Sequence, residues 1–197
     1  MRTVVRRAVW LLLLPLPLMG QYDVAPRPTP KAELFGGYSY IRLEGMDLQG
    51  WNFSLAGNVN KNLGIVADAS GHYNRDTTTD SLGRTESKLN FHTFLAGPRV
   101  TERSLKWLTP YAHALFGMTR VNGEVTFTPA GGAAISTNND QTGFAMTLGG
   151  GLDINVSDSV FYRLLQADYY LIRADKLKHE GLRLSAGILF RFGRKTD

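Results

Sequence analysis

The chain of 197 residues contains no cysteine. This absence excludes a disulfide framework, cysteine-ligated zinc and thiol catalysis, and it leaves no residue for lipid attachment to a thiol. The sequence also lacks an apolar run of membrane-spanning length, and its mean hydropathy is −0.16. A bundle of membrane helices is therefore excluded, and no segment beyond residue 32 shows a sustained helical period of 3.6 residues.

The basic charge of the chain is concentrated at its start. The whole sequence carries a net charge of +5, but residues 1–20 hold three arginines and no acid. Without them, nineteen basic residues face seventeen acidic ones, a net charge of +2. The basic residues that remain cluster only near the C-terminus, so we expect no nucleic-acid partner.

The first 20 residues predict a secretory signal peptide. Three arginines precede an apolar run over residues 8–19, and the small Gly20 offers a cleavage point. A helix needs about 20 residues to span a bilayer, so this run is too short for a comfortable membrane anchor, which is the alternative interpretation. Residues 21–31 carry three prolines and predict an extended linker in the periplasm.

From residue 32 onward, apolar and polar side chains alternate with period two, the pattern of a β-strand with two different faces. The predicted strands are about ten residues long, which matches a tilted membrane crossing, whereas strands of soluble domains average about 5–6 residues. Eight segments show this pattern: 33–42, 51–60, 63–74, 88–98, 109–120, 142–153, 160–172 and 181–192.

The connections between these segments alternate in length. Short connections at 60–62, 101–107 and 155–159 alternate with longer ones at 75–87, 121–141 and 173–180, while the first, at 43–50, is intermediate. Short turns on one rim and long loops on the other are typical of outer-membrane barrels. Asn122-Gly123 is a hairpin-turn dipeptide, so we expect a small hairpin at the start of a mobile loop over 121–141.

These patterns predict an all-β fold, an eight-stranded antiparallel up-and-down transmembrane barrel over residues 32–193, followed by a tail of residues 194–197. Aromatic residues near the strand ends predict a belt at the membrane interface. They are Tyr38, Tyr40, Trp51, Tyr73, Trp107, Tyr111, Tyr162, Tyr169, Tyr170, Phe190 and Phe192.

Small residues on the polar faces predict a narrow interior that side chains fill, without an open pore. Charges that point inward must pair across it, because an isolated buried charge is costly. The predicted lumen network comprises Glu33, Asp68, His72, His92, His113, Asp153, Asp168, Arg183 and Arg191. Arg163 has the opposite parity to Asp168 and joins this network only if a bulge near Leu164–Leu165 shifts the register.

Several segments, among them ELFGGYSYIRL (33–43), TPYAHALFG (109–117) and LRLSAGILFRFG (182–193), resemble one family. It is the bacterial outer-membrane β-barrel domain family, the eight-stranded "porin family" barrels similar to the OmpA transmembrane domain and OmpX. The resemblance implies insertion in a bacterial outer membrane, with both termini in the periplasm. It also implies that Gly187, Phe190 and Phe192 form the signal read by the barrel-assembly machinery, although here residues 193–197 follow the last aromatic.

We therefore expect a monomer that contacts outer-membrane lipid and lipopolysaccharide and that has a structural or surface-interaction role through extracellular loops, with an extracellular ligand. No catalytic, cofactor-binding or metal-binding residue is predicted. Three alternatives remain: a lipid A-modifying enzyme using Asp68, Ser70 and His72; a metal site of His72, His92 and His113; and a soluble lipocalin-like periplasmic carrier.

Overall fold

The computed structural model describes residues 29–43, 45–105, 107–174 and 177–193. The predicted signal peptide, most of the predicted linker and the tail of residues 194–197 lie outside the described residues. Within the part that is described, no helix is both long and apolar enough to cross a membrane.

Eight antiparallel strands follow one another around a closed barrel, and the last pairs with the first. The predicted fold class is therefore confirmed. The strands are β1 (Ala32–Leu43), β2 (Met46–Asn58), β3 (Leu63–Asp80), β4 (Gly83–Thr101), β5 (Leu108–Pro129), β6 (Ile135–Asn155), β7 (Val160–Ala174) and β8 (Leu177–Phe192).

The long connections of the sequence prediction are mostly strand, and the prediction of long loops is wrong. β3 and β4 are joined by only two residues, Ser81 and Leu82. β5 and β6 continue the ladder of the barrel up to the pair Phe127–Ile135. Strands β3 to β6 therefore rise well beyond the others and form a four-stranded extension, hereafter the wall, made of residues 74–80, 83–90, 120–129 and 135–143.

The predicted hairpin turn at Asn122-Gly123 is also wrong. Asn122 lies in the middle of β5, where it pairs with Asn90 of β4 and Asp140 of β6. Turn preference is a local property, and here the ladders on both sides of β5 hold the backbone extended through the dipeptide.

The two faces of the barrel have the polarity opposite to that of a soluble barrel. Fully buried polar and charged side chains point inward, whereas large apolar side chains point outward. The exposed apolar side chains on the outer face include Phe53, Leu55, Ile65, Phe94, Val100, Phe116, Met118, Phe144, Leu148, Leu164, Leu182, Ile188, Phe190 and Phe192.

The interior also holds two apolar clusters. The larger extends from mid-barrel to the base of the wall and includes Ile41, Leu43, Leu48, Phe91, Leu95, Leu115, Tyr170 and Ile172. The smaller, of Phe35, Phe161 and Leu189, lies nearer the rim with the short turns, hereafter the short-turn rim. Polar side chains therefore share the interior with apolar ones at both ends.

One β-bulge interrupts the alternation of β7. Asp153 of β6 pairs with Arg163, and Leu152 pairs with Leu165, so Leu164 has no partner on β6. Leu164 and Leu165 both point outward. The bulge on which the inward placement of Arg163 depended is therefore present, and Arg163 lies on the same face as Asp168.

Candidate functional site

The structure places most of the predicted network in the barrel interior. Nine of the ten predicted side chains lie there, all of them nine-tenths or more buried: Glu33, Asp68, His72, His113, Asp153, Arg163, Asp168, Arg183 and Arg191. The tenth, His92, points outward, so its predicted lumen position is wrong.

The centre of the network is Arg183, whose side chain is fully buried between two carboxylates. Its Nη1 donates to Oδ1 of Asp68 at 2.8 Å, and its Nη2 donates to Oδ2 of Asp168 at 2.7 Å. A third bond runs from Arg183 Nε to the same Asp168 oxygen at 2.9 Å. Because Asp68 belongs to β3 and Asp168 to β7, Arg183 ties opposite sides of the barrel together.

Asp168 accepts further hydrogen bonds from two neighbouring side chains. His113 Nε2 lies 2.7 Å from its Oδ1, and Gln166 Nε2 donates to its Oδ2 at 2.7 Å. His113 and Asp168 stand on strands that flank β6, and Gly149 lies between them in register. A Cβ at Gly149 would lie 2.2 Å from Asp168 Oδ1, so glycine at this position leaves the space in which the two side chains meet.

A second cluster lies near the short-turn rim and is centred on Glu33. Its Oε1 accepts hydrogen bonds from Arg103 at 2.5 Å and Asn58 at 2.9 Å, and it pairs with Arg99 at 3.0 Å. Arg191 lies between the two acids of this region, 3.7 Å from Glu33 and 3.8 Å from Asp153. One carboxylate thus faces three guanidinium groups.

Arg163 links this cluster to the central one. Its Nε donates to Asp153 at 2.8 Å, and its Nη1 donates to Gln166 at 2.8 Å. The guanidinium also stacks over the rings of Phe35 and Tyr111, at 4.2 and 4.5 Å from their centroids. Aromatic faces stabilise a desolvated cation, so this side chain is held by charge, hydrogen bonds and rings together.

Sequence reasoning missed several members of the network. Arg99 lies in β4 at an even spacing from Thr93 and Thr101, so it points inward with them. Arg103 reaches the interior from the turn that follows β4. Tyr111 and Tyr170 were expected in the outward belt but point inward, where their hydroxyls donate to Gln166 and Thr93. The parity of Arg99 was a usable signal, whereas nothing local marks Arg103, because its partner Glu33 lies seventy positions earlier.

His92 was misplaced because the two faces of β4 change polarity along the strand. Near the wall, polar Lys88 and Asn90 face outward while Phe91 packs inside. Towards the short-turn rim the order reverses, and Phe94 and Val100 face outward. His92 has the outward parity and lies 3.3 Å from the Tyr73 hydroxyl. The alternation of the β4 residues near the wall, taken alone, therefore assigned His92 to the wrong face.

The constellation considered for catalysis does not form a triad. His72 Nε2 lies 2.8 Å from the hydroxyl of Ser39, which in turn contacts Ser185. Ser70 and Asp68 instead accept bonds from Arg183, and the other ring nitrogen of His72 has no hydrogen-bond partner. No acid orients this imidazole, which a triad requires.

The histidines do not make a metal centre either. Among the described residues, no group of three or more His, Asp or Glu side chains is arranged to hold a metal ion. His92 lies outside the barrel, and His113 is engaged by Asp168.

The wall carries charged pairs of a different kind. Arg120 donates to the carboxylate of Asp140 through both Nε and Nη2, and both side chains are more than two-fifths exposed. This hydrogen bond, despite the exposure, lowers the pKa of Asp140 below its ordinary value.

No protein family and no curated protein matches the sequence. Solved structures do match the fold. Ail, the attachment invasion locus protein of Yersinia pestis, is 20% identical with a TM-score of 0.54, and the match covers 82% of this chain and 99% of that one. Neisserial surface protein A is 17% identical with a TM-score of 0.52, covering 82% and 96% of the two chains. The outer membrane protein OprG from Pseudomonas aeruginosa is 11% identical with a TM-score of 0.50, covering 86% and 99%.

Proposed function

We propose that the chain is a bacterial outer-membrane β-barrel whose interior is closed by side chains and whose wall, on the extracellular side, interacts with a ligand. The observation that carries this proposal is the inverted polarity of the barrel. Apolar side chains cover its outside, while Arg183 and its carboxylate partners are sealed inside. In water this arrangement would expose the apolar surface, whereas in a bilayer it is the stable one.

The height of the apolar surface fits a membrane. On the outer face of β3, Leu63 lies near the short-turn rim, and Tyr73 lies ten residues further along the strand. Ten residues at about 3.4 Å each, tilted by about 40°, rise about 25 Å. That is about the height of the apolar band of an outer-membrane barrel, with Tyr73 at its upper interface.

The filled interior argues against an open pore. Five arginines and four carboxylates interlock from the short-turn rim to mid-barrel, and apolar side chains fill the space above them. An eight-stranded barrel is just wide enough for its own side chains to fill it. The same polarity argues against a lipocalin-like carrier, which needs an apolar interior and a polar outside.

The wall is the part of the molecule best suited to bind a partner outside the membrane. The ladder between β6 and β7 begins at the pair Phe144–Arg173, so among the described residues 135–143 form an edge of the wall. Val125, Phe127 and Ile135 expose apolar surface on the wall face that continues the barrel interior. An open strand edge next to apolar side chains is a known mode of peptide recognition.

The last strand supports the expected assembly signal. Phe190 and Phe192 point outward with their rings 6.5 Å apart, and Gly187 pairs with Gly37. We propose that the barrel-assembly machinery reads these residues, that the chain is exported by its signal peptide, and that the folded protein is a monomer surrounded by outer-membrane lipid and lipopolysaccharide. We assign it no catalytic role.

Fractionation of bacterial membranes tests the location. The full chain should be found in the outer-membrane fraction, and its gel mobility should shift on boiling, as a folded barrel unfolds. An epitope inserted between Ser81 and Leu82 should bind antibody on intact cells, whereas the same epitope between Asn60 and Lys61 should not. Recovery in the soluble periplasmic fraction would overturn the proposal.

Planar-bilayer recording tests the closed interior. The refolded chain should give no large, stable single-channel steps. Such steps, in a preparation free of other porins, would contradict a side-chain-filled lumen.

A further inference from the structure

Two basic side chains face each other on the outer face at the base of the wall. Arg75 of β3 and Lys88 of β4 are direct partners in the ladder. Directly opposed like charges destabilise a sheet. Two acids pair with them at separations too long for a hydrogen bond: Glu86 lies 3.7 Å from Arg75 and 3.6 Å from Lys88, and Glu124 lies 3.6 Å from Lys88.

The local charge is positive beyond this pair. Three basic side chains, Arg75, Arg84 and Lys88, share the two acids Glu86 and Glu124, which leaves one positive charge in excess. The rim of β1 and β2 is different, because there Arg42 faces Asp47 directly in register, and the pair is 3.9 Å apart. The base of the wall therefore carries a cationic excess that the rim of β1 and β2 lacks.

A recess lies at the same place. It has a volume of about 460 Å³ and is lined by Tyr73, Asn74, Arg75, Lys88 and Asn90. Tyr73 and Asn90 are also direct ladder partners, so the recess is lined by two cross-strand pairs of the same face, one polar and one doubly basic, and by Asn74 between them. Amide, phenol and basic groups together line a space large enough for a charged headgroup.

The height of this recess along the strands indicates where it lies relative to the membrane. Phe94 is the last large apolar side chain on the outer face of β4, and His92 and Tyr73 follow it towards the wall. Arg75 lies two residues beyond Tyr73, which is about 5 Å higher along a tilted strand. In the proposed orientation, the recess therefore lies at the level where the outer leaflet carries its phosphate groups.

We propose that this recess is a binding site for a phosphate group of lipopolysaccharide, with Arg75 and Lys88 as the two cationic contacts. This inference rests on the proposed function, because only an outer-membrane barrel presents this face to lipopolysaccharide. A phosphate between the two cations offsets the positive charge that Glu86 and Glu124 leave uncompensated. Tyr73 and Asn90 then face the sugar that carries the phosphate.

Binding measurements on the full chain, refolded in detergent or nanodiscs, test the site. Wild type, Arg75→Gln/Lys88→Gln and the control Arg42→Gln are titrated with purified lipopolysaccharide and with the same material after enzymatic dephosphorylation. We expect the double variant to bind about tenfold more weakly, because charge-assisted contacts to phosphate are among the stronger polar contacts. Dephosphorylation should weaken wild-type binding by a similar factor, and Arg42→Gln should stay within about twofold.

Three results would overturn the site: a double variant that binds like wild type, no preference for phosphorylated lipopolysaccharide, or equal binding of phosphatidylglycerol vesicles, which would assign the contact to any anionic lipid. Unchanged heat-modifiable mobility shows that the variants fold. The two proposals fail separately, since the location is tested by fractionation and the site by comparing refolded variants in binding measurements.

Discussion

Arginine–aspartate pairs lie both in the barrel interior and on the wall, yet the two settings differ. Arg183 is fully buried between Asp68 and Asp168, whereas Arg120 and Asp140 are paired in solvent at 62% and 45% exposure. A buried charge that loses its partner carries a desolvation penalty of several kcal/mol, while an exposed charge is solvated by water. The interior pairs are therefore interdependent, and the wall pair is replaceable.

The two regions also differ in what packs against them. Leu89 and Val121, at the base of the wall, still touch the apolar cluster of the interior. Higher up, Val125 and Ile135 are exposed on the same face. The top of the wall is thus held by its strand ladder, with little burial, and it contributes little to the stability of the barrel.

The largest expected effect follows from removing the central cation. Arg183→Met leaves Asp68 with Asn52 as its remaining donor and leaves Asp168 with His113 and Gln166. We expect the free energy of unfolding to fall by about 3–5 kcal/mol, the cost of breaking a buried ion pair by removing one partner. Urea unfolding in lipid vesicles measures it.

The matched control is Arg120→Met on the wall, which should leave the unfolding midpoint unchanged. Adding Asp68→Asn to Arg183→Met should recover part of the loss, because it removes one of the uncompensated charges. Equal effects of Arg183→Met and Arg120→Met would show that the interior network does not stabilise the fold.

An intermediate effect is expected from filling the space between His113 and Asp168. Gly149→Ala would bring a methyl group to 2.2 Å from Asp168 Oδ1 and 2.3 Å from the carbonyl oxygen of Ala167. The neighbours must shift, and we expect a loss of about 1–3 kcal/mol in the same unfolding measurement.

Gly57→Ala is the control for this substitution. Gly57 also lies within a strand, but a Cβ there meets no atom within 4 Å. Gly57→Ala should change the free energy of unfolding by no more than about 0.5 kcal/mol. If Gly149→Ala is equally mild, the interior is looser than the close hydrogen bonds indicate.

The smallest effect on the barrel is expected from shortening the wall. Replacing residues 124–138 by an Asn-Gly dipeptide connects the ladder partners Gly123 and Asn139 through a two-residue turn. Because this part makes no contact with the interior clusters, heat-modifiable mobility and the unfolding midpoint should be retained. Loss of the folded form would mean that the wall is needed for barrel assembly.

The sequence predicted the fold well because strand alternation is a local property. In β8, Arg183 and Ser185 alternate with Leu182 and Leu184, and the observed faces agree. Arg163 needed one further condition, since its inward placement depends on the bulge at Leu164. That condition is visible in the sequence as two adjacent leucines in a strand that otherwise alternates.

The sequence was a poorer guide where the placement of a side chain depends on its height along the barrel or on partners distant in the sequence. His92 has the right chemistry for the interior, but the outer face is polar at its level near the wall, so a polar residue there faces outward. Asn122-Gly123 has a turn preference that paired strands on both sides override. Arg103 enters the interior because acceptors distant in the sequence, Glu33, Asn58 and the backbone oxygen of Lys61, bind its guanidinium.

The sequence by itself determined the class of fold and most of the inward charges, because a period of two assigns each side chain to a face with only its neighbours as reference. The tertiary structure decided which charges pair, which strands rise into the wall, and where Arg75 meets Lys88. Those features depend on the register between strands and on the closure of the barrel, which bring together residues as distant as Asp68 and Arg183. Local alternation carries no information about that closure.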